Sequence, residues 1–339
     1  MTTKKSAEKK LVSIKKSPKS LGNPMKGRDI LVKALVNEGV KVIFGYPGGA
    51  SMEIHQGLTL APKIRMVLPR HEQGGSFAAG GYARATGEVG VCLATSGPGA
   101  TNLITGIIDA KMDSIPIVAI TGQVPSTVLG SDAFQETDIM GATFPLVKHS
   151  YMIQNVAEIP RVIHEAFHIA RTGRPGPVLV DVPKNIQQQE GIADFDVTFD
   201  CPSYRPNVKP SILQCKKAAH TIQTSKRPII YAGGGIISSG ASAELRAFVK
   251  KTGIPITTTV MGLGAYPSTD PLSLRMLGMH GAVYANIAMN HADLVIAMGV
   301  RFDDRVTGKL AEFCKNAQII HIDIDPTEIN KNILVDIPI

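Results

Sequence analysis

From Ile30 onward, short apolar runs alternate with amphipathic stretches of helical period, and few architectures accept that alternation. Apolar runs bounded by glycine suit strands buried on both faces, and the helices between them suit the crossovers that parallel strands require. The first set of strands is predicted at Lys41 to Gly45, Met66 to Leu68, Val89 to Thr95, Ile117 to Thr121 and Val178 to Val182. Helices are predicted between them at Gly27 to Glu38, Gly74 to Thr86, Thr101 to Lys111 and Pro160 to Thr172. The periodicity then lapses from Asn185 to Pro210, where Gln187 to Gln189, Asp194, Asp196, Asp200 and several prolines gather as in a crossing linker.

A second alternation follows, with helices at Ser211 to Thr224, Ser242 to Thr252 and Val283 to Asn290 and strands at Pro228 to Tyr231, Ile254 to Thr258, Leu294 to Met298 and Gln318 to Ile324. The fold class expected is therefore α/β, with two successive doubly wound parallel-sheet domains. Residues 1–25 form a basic tail, 26–184 the first domain, 185–210 the linker and 211–339 the second domain. A helix-start signal at Asp325-Pro326-Thr327-Glu328 stands shortly before the last residue, and the second domain is expected to be incomplete.

A net charge of +8 raises the question of nucleic acid. Lys4, Lys5, Lys9, Lys10, Lys15, Lys16 and Lys19 supply most of it, and the rest of the chain is nearly neutral, so nucleic acid is not expected as a partner. No apolar run is long enough to span a bilayer. The tail lacks the apolar core of a secretory signal and reads as a solvated segment, with organelle import the lesser alternative. Cys92, Cys201, Cys215 and Cys314 are scattered without metal-site or disulfide spacing, which suits a reducing cytoplasm.

Glycine gathers where predicted strands end, the places at which backbone can approach a ligand or present N–H groups to phosphate. Three loops have this character: Gly45-Tyr46-Pro47-Gly48-Gly49-Ala50, Ser96-Gly97-Pro98-Gly99-Ala100-Thr101-Asn102 and Ala232-Gly233-Gly234-Gly235. Each is weak evidence alone, since a tight turn explains it equally well, and none matches the phosphate-loop pattern GxxxxGK[ST]. More specific is Arg70-His71-Glu72-Gln73-Gly74, where a strand delivers a carboxylate to the start of a helix of small residues. Glu72 there can simply complement the helix dipole. The apolar character of the helix points instead to a dry crevice, in which a carboxyl can donate to a ring nitrogen.

Together these segments resemble thiamine-diphosphate enzymes, most closely the acetolactate (acetohydroxyacid) synthase catalytic subunits. The resemblance covers about Met25 to the C-terminus and rests on Phe44-Gly45-Tyr46-Pro47-Gly48-Gly49-Ala50-Ser51, Leu68-Pro69-Arg70-His71-Glu72-Gln73-Gly74, Ala94 to Asn102, Ile120-Thr121-Gly122-Gln123-Val124-Pro125 and Asp132-Ala133-Phe134-Gln135-Glu136. It implies that the first domain binds the aminopyrimidine of thiamine diphosphate, with Glu72 hydrogen-bonded to a ring nitrogen so that the cofactor can lose its C2 proton. It further implies decarboxylative condensation of two pyruvates, or of pyruvate with 2-oxobutyrate, for branched-chain amino-acid synthesis. Gly49 would lie beside the thiazolium, and Phe134 and Gln135 would line the site of the second keto acid.

For the second domain the resemblance implies FAD. Arg174 is similar to an arginine on the flavin diphosphate, a task suited to a guanidinium fork. Gly233, Gly234, Thr259, Leu277, Gly278, Met279, His280, Gly299, Arg301, Asp303, Arg305 and Asp323 match the family's flavin-binding runs. A homodimer or tetramer, and a regulatory small subunit, are the implied partners, with an apolar surface near Ser96 to Asn102 left for self-association.

The family's Gly-Asp-Gly motif, which holds Mg2+ and the diphosphate in a third domain, does not occur in this sequence. No metal ligand is therefore assigned, and the chain alone is expected to be inactive. Two alternatives compete with an acetolactate synthase: a sibling thiamine-diphosphate carboligase, decarboxylase or pyruvate oxidase, and a non-catalytic flavin-binding fragment. Pro125 and Asp132 to Glu136 argue against the sibling.

Overall fold

A computed structural model describes residues 22–199 and 201–339, so most of the tail, residues 1–21, lies outside the described residues. In the first half the strands are β1 (Met25–Lys26), β2 (Val42–Gly45), β3 (Arg65–Val67), β4 (Gly90–Ala94), β5 (Ile117–Gln123), β6 (His149–Met152), β7 (Val178–Pro183) and β8 (Glu190–Gly191). In the second half they are β9 (Pro228–Ala232), β10 (Ile256–Thr258), β11 (Ser273–Met276), β12 (Leu294–Met298), β13 (Gln318–Ile322) and β14 (Ile337–Pro338). The helices that matter below are α1 (Gly27–Asn37), α2 (Met52–Thr59), α3 (Glu72–Thr86), α4 (Pro98–Asn102), α5 (Ile104–Asp113), α6 (Ile139–Thr143), α7 (Ile159–Arg171) and α8 (Lys184–Gln188). They are followed by α9 (Ile212–Thr224), α10 (Gly234–Ser238), α11 (Ser242–Thr252), α12 (Val283–His291) and α13 (Asp304–Thr307).

Two all-parallel sheets result. The first runs β3-β2-β4-β5-β7-β6 and the second β11-β10-β9-β12-β13-β14. Both are covered on two faces, which is why their central strands read as unbroken apolar runs. Successive residues alternate between layers: Val91, Leu93, Val118 and Ile120 pack towards α1 and α7, whereas Cys92, Ala94, Ile117 and Ala119 pack towards α3 and α5. In the second sheet Ile230 and Ile296 join one core while Tyr231 and Val295 join the other. The expected pair of doubly wound sheets is thus present.

Several details differ from the sequence reading. The stretch expected as one helix from Thr101 to Lys111 is two, α4 and α5, meeting at Leu103. Part of the proposed linker belongs to the first layer: α8 packs there, and Glu190–Gly191 pairs antiparallel with Met25–Lys26. Asp325 to Glu328 forms a turn rather than a helix; Asp325 Oδ1 accepts from Thr327 N at 3.0 Å, but no apolar periodic stretch follows to propagate it. The chain instead extends into β14 beside β13.

Candidate functional site

In each sheet one gap separates neighbouring strands whose crossovers depart in opposite directions, and open α/β sheets bind ligands outside the carboxyl ends of such strands. In the first sheet that gap lies between β2 and β4. The Gly45–Ala50 loop leaves β2 and the Ser96–Asn102 segment leaves β4, so the two glycine loops meet there. Their fit requires missing side chains: a Cβ on Gly48 would stand 2.5 Å from Thr95 Cβ, and one on Gly97, whose φ is +55°, would stand 2.6 Å from the Gln135 carbonyl oxygen. Thr95 Oγ1 accepts from Ala50 N at 3.0 Å, and Gln187 Nε2 donates to Ala50 O at 2.7 Å, fixing the first loop.

Glu72 enters this gap from the end of β3. It is the first residue of α3, capped by His71, whose Nδ1 accepts from Gln73 N at 3.2 Å. Asn102 Nδ2 donates to Glu72 Oε2 at 3.0 Å, and a Cβ on Gly99 would lie 3.2 Å from Oε1. The carboxylate is therefore aimed by α4 and faces backbone without side chains. In the single chain Glu72 is half-buried, so the dry crevice expected from the sequence is open on one side. Gly49 stands exposed, and nothing lies within 4 Å of where its Cβ would be, so packing does not demand glycine at that position.

Phe134 and Gln135 reach the same rim by different means. The backbone of Gln135, with φ at +57°, presses on Gly97, while the Phe134 side chain is 88% exposed and encloses nothing in this chain. The apolar surface expected near Ser96 to Asn102 is not there: Ser96, Gly97, Gly99 and Ala100 are buried by the packing of the two loops. Exposed apolar side chains lie instead on α3 and α5, at Phe77, Ile108 and Met112.

The second sheet has its gap between β9 and β12, in the order typical of dinucleotide folds. Gly233 and Gly299 touch across it. A Cβ on Gly233 would stand 2.2 Å from Gly299 O, and Gly299 itself has φ at +60°. Gly234 and Thr259 border the same edge, Thr259 capping a short turn through Gly262 N at 3.0 Å. Leu277 is buried in the core, so only its backbone is available. Gly278 packs under Arg305, whose carbonyl accepts from Met279 N at 2.8 Å. A cleft of about 450 Å³ opens here, lined by Gly278, Met279, Asn286, Arg305 and Lys309 among others. His280 is exposed beside Met279.

The arginines are already engaged. Arg174 Nη1 donates to Glu328 Oε1 at 2.6 Å and Asp325 Oδ2 at 3.0 Å, and its Nε donates to Ser114 Oγ at 2.8 Å. Arg301 reaches the first domain through Met112 O at 2.6 Å and approaches Asp303 at 3.5 Å. Asp323 accepts from Asp325 N at 2.9 Å and lies 3.7 Å from the buried His321. Sequence reading gave no site role to Asn102, Gln187, Asp325 or Glu328, which it placed in a glycine loop, a linker and a helix start, and it did not name Asn286. Asn286 brackets Gly278 with two hydrogen bonds of 2.8 and 3.0 Å, a pairing that no local pattern announces.

A carboxylate beside bare backbone at one gap and a glycine-lined edge at the other give each domain one place open to a ligand. The model of the thiamine pyrophosphate enzyme N-terminal TPP-binding domain matches residues 25–142, and that of the thiamine pyrophosphate enzyme central domain matches 215–339. The chain belongs to the thiamine pyrophosphate enzymes. It is 58% identical over 311 residues to acetolactate synthase 3, chloroplastic, of Brassica napus, covering 91% of this chain and 47% of that protein. It is 60% identical to acetolactate synthase 2, chloroplastic, of Nicotiana tabacum and 58% to acetolactate synthase, chloroplastic, of Arabidopsis thaliana, covering 91% of this chain and 46% of each. The chain spans about half the length of the curated relatives it matches.

Proposed function

We propose that this chain forms the pyrimidine-binding and central domains of an acetolactate synthase, which joins two pyruvates, or pyruvate and 2-oxobutyrate, with loss of carbon dioxide. The observation that carries the reading is the Glu72 carboxylate, oriented by Asn102 and facing Gly99, in the gap whose other loop carries the unobstructed Gly49. Bound there, thiamine diphosphate supplies the electron sink for decarboxylation and the carbon nucleophile for condensation. Glu72 holds a proton at the pyrimidine ring nitrogen, Asn102 keeps its carboxyl in line, and the glycines admit the ring. Phe134 and Gln135 border the position of the second keto acid.

FAD is the proposed ligand of the second gap. The apposed Gly233 and Gly299, with Gly234 and Thr259 beside them, leave backbone for a flat dinucleotide, and the Gly278–Arg305 cleft continues that surface. Arg174 fits a diphosphate if it yields Asp325 and Glu328. Mg2+ is proposed to be held with the thiamine diphosphate by a diphosphate-binding domain, in a homodimer or tetramer, with a regulatory small subunit as a further partner. A division into 26–184 and 211–339, with 185–210 between them and its first residues packed on the first domain, goes with this assignment. The relatives' names favour an organelle over the cytoplasm, which a fusion of residues 1–25 to a fluorescent protein decides.

The test is hydrogen–deuterium exchange at C2 of thiamine diphosphate, with flavin content measured on the same sample, after complementing the chain with one that supplies the diphosphate-binding domain. Glu72→Gln should slow exchange on the order of 100-fold or more, the range for a positioned proton-transfer group, and leave flavin absorbance unchanged. Exchange at the unaltered rate in that variant removes Glu72 from the mechanism.

A further inference from the structure

A buried chain of hydrogen bonds ties the segment carrying Phe134 and Gln135 to the middle of the first sheet. Gln123 closes β5 and is 1% exposed; Asp181, fully buried, stands on β7 opposite Thr121, two residues before Gln123. Gln123 Oε1 accepts from Val124 N at 2.9 Å, which fixes the amide so that Nε2 points the other way. Nε2 then donates to Asp181 Oδ2 at 2.9 Å and to Thr137 O at 3.0 Å. Thr121 Oγ1 donates to the second oxygen of Asp181 at 2.6 Å. Flipping the Gln123 amide would set oxygen against both Asp181 and Thr137 and N–H against Val124, so one orientation satisfies every group.

Thr137 ends a short loop that is braced in part at its own rim. The Glu136 carboxylate accepts from Gly130 N and from Ala133 N at 2.9 Å, and these N–H groups keep it below the usual carboxylate range. That closes 130–136 on itself but does not attach it to the sheet. Attachment comes from the Gln135 backbone against Gly97 and from Gln123 through Thr137. Gly97 belongs to the loop that orients Glu72 through Asn102, so the two attachments fix the loop relative to the proposed cofactor.

We propose that Gln123 is a positioning residue for the second keto acid: held by Asp181, it sets where Phe134 and Gln135 stand and thereby which acceptor is joined. The inference rests on the acetolactate synthase reading above for its substrate. Neither Gln123 nor Asp181 touches substrate in it.

Two readouts separate this proposal from its premise. The first needs no activity: hydrogen exchange of the peptide spanning 130–137 in the 339-residue chain. Gln123→Leu, which removes the donor to Thr137 and leaves Asp181 short of a partner, should speed exchange in that peptide roughly tenfold, as expected for a lost buried hydrogen bond. Asp181→Asn can keep the carbonyl towards Gln123 and turn its amide to Thr121, whose hydroxyl can also accept, so exchange should stay near the parent rate. The second readout is the ratio of 2-aceto-2-hydroxybutyrate to acetolactate formed from mixed pyruvate and 2-oxobutyrate in the complemented enzyme. Gln123→Leu should change that ratio on the order of tenfold with a smaller change in total turnover, since misplacing a positioned reactant is costly; Asp181→Asn should hold it. Faster exchange with an unchanged ratio overturns the specificity role. Unchanged exchange in Gln123→Leu, or Asp181→Asn behaving like it, overturns the tether. No product from the complemented parent enzyme overturns the acetolactate synthase reading and with it the substrate claim, whatever the exchange data say about the tether.

Discussion

The two sheets place their glycine loops at equivalent gaps, yet they use glycine for opposite ends. Between β9 and β12, Gly233 and Gly299 pack on each other: their backbones touch, and the Arg174 guanidinium proposed for this domain's ligand is held by protein carboxylates. Between β2 and β4, Gly48 and Gly97 are likewise needed for packing, but Gly49 beside Gly48 faces open space, and Glu72, held by Asn102, has an open side. Glycine compelled by packing reports on the fold, whereas Gly49, in a gap and without either a neighbour or a positive φ, is free to report on a ligand. The two gaps should therefore respond differently to the same substitution.

The largest response expected is in the second domain. Gly233→Ala puts a methyl group 2.2 Å from the Gly299 oxygen and 2.7 Å from Val300 Cγ1, with backbone on the contacted side. Overpacking against backbone that cannot turn aside should cost about 3 kcal/mol or more. Hydrogen exchange of β9 and β12 should report the loss while β4 and β5 stay protected. Equal loss in both sheets would mean that the domains unfold as one unit.

Next in size is a pH effect confined to the first sheet. Burial pushes the Asp181 carboxyl up to about 6, against the hydrogen bonds from Thr121 and Gln123 that favour its charge. A group raised in the folded state contributes stability that is fully present below its unfolded value, near 3.9, and is lost as pH rises through about 6. Asp181→Asn should abolish this slope, gaining roughly 2 to 3 kcal/mol relative to the parent between pH 4 and pH 7. Denaturant melts of both proteins at the two pH values check the sign; parallel stabilities would show that the carboxyl is not raised.

Arg174→Ala tests whether the second gap is closed by protein or held for a ligand. Burial pushes the Glu328 carboxyl up, but Lys331 and Arg174 outweigh it and leave it below the usual range. Glu328 keeps Lys331 at 2.9 Å after the substitution, so the cost should be about 2 kcal/mol, less than that of fully stripping a buried charge. If flavin diphosphate displaces Asp325 and Glu328, added FAD should stabilise the parent by more than the variant, and a thermal melt with and without FAD reads the difference.

The interior of this fold was legible because both-face burial writes a continuous apolar run, as at Val91 to Ala94 and Ile117 to Ile120. Of the four edge strands β3 was read, but His149–Met152, Ser273–Met276 and Ile337–Pro338 were missed; each pairs on one side only and carries partly exposed residues, so no continuous apolar run marks it. Asp325 to Glu328 misled in another way: its side chains have helix-capping chemistry, but Asp325 and Glu328 are engaged by an arginine 151 and 154 residues away. The site shows the same division. Glu72 could be read from its position between a strand and a helix of small residues, whereas Asn102, Asn286 and the Gln123–Asp181 pair act through contacts that only the folded chain creates.

The smallest expected effect on stability, at Gly49, makes the sharpest test of the comparison. Its ideal Cβ meets nothing within 4 Å and its backbone has no positive φ, so Gly49→Ala should change stability by less than about 0.5 kcal/mol. If the emptiness is space for the cofactor ring, the same methyl group should nonetheless weaken thiamine-diphosphate binding in the complemented enzyme, because a ligand that approaches bare backbone cannot retreat from a Cβ without losing its hydrogen bond to Glu72. Scanning calorimetry of the variant and the parent, without and with added thiamine diphosphate, reads stability from the first melt and binding from the shift in the second. A variant as stable as the parent that binds the cofactor equally well would show that the first gap carries Gly49 for the sake of the loop alone.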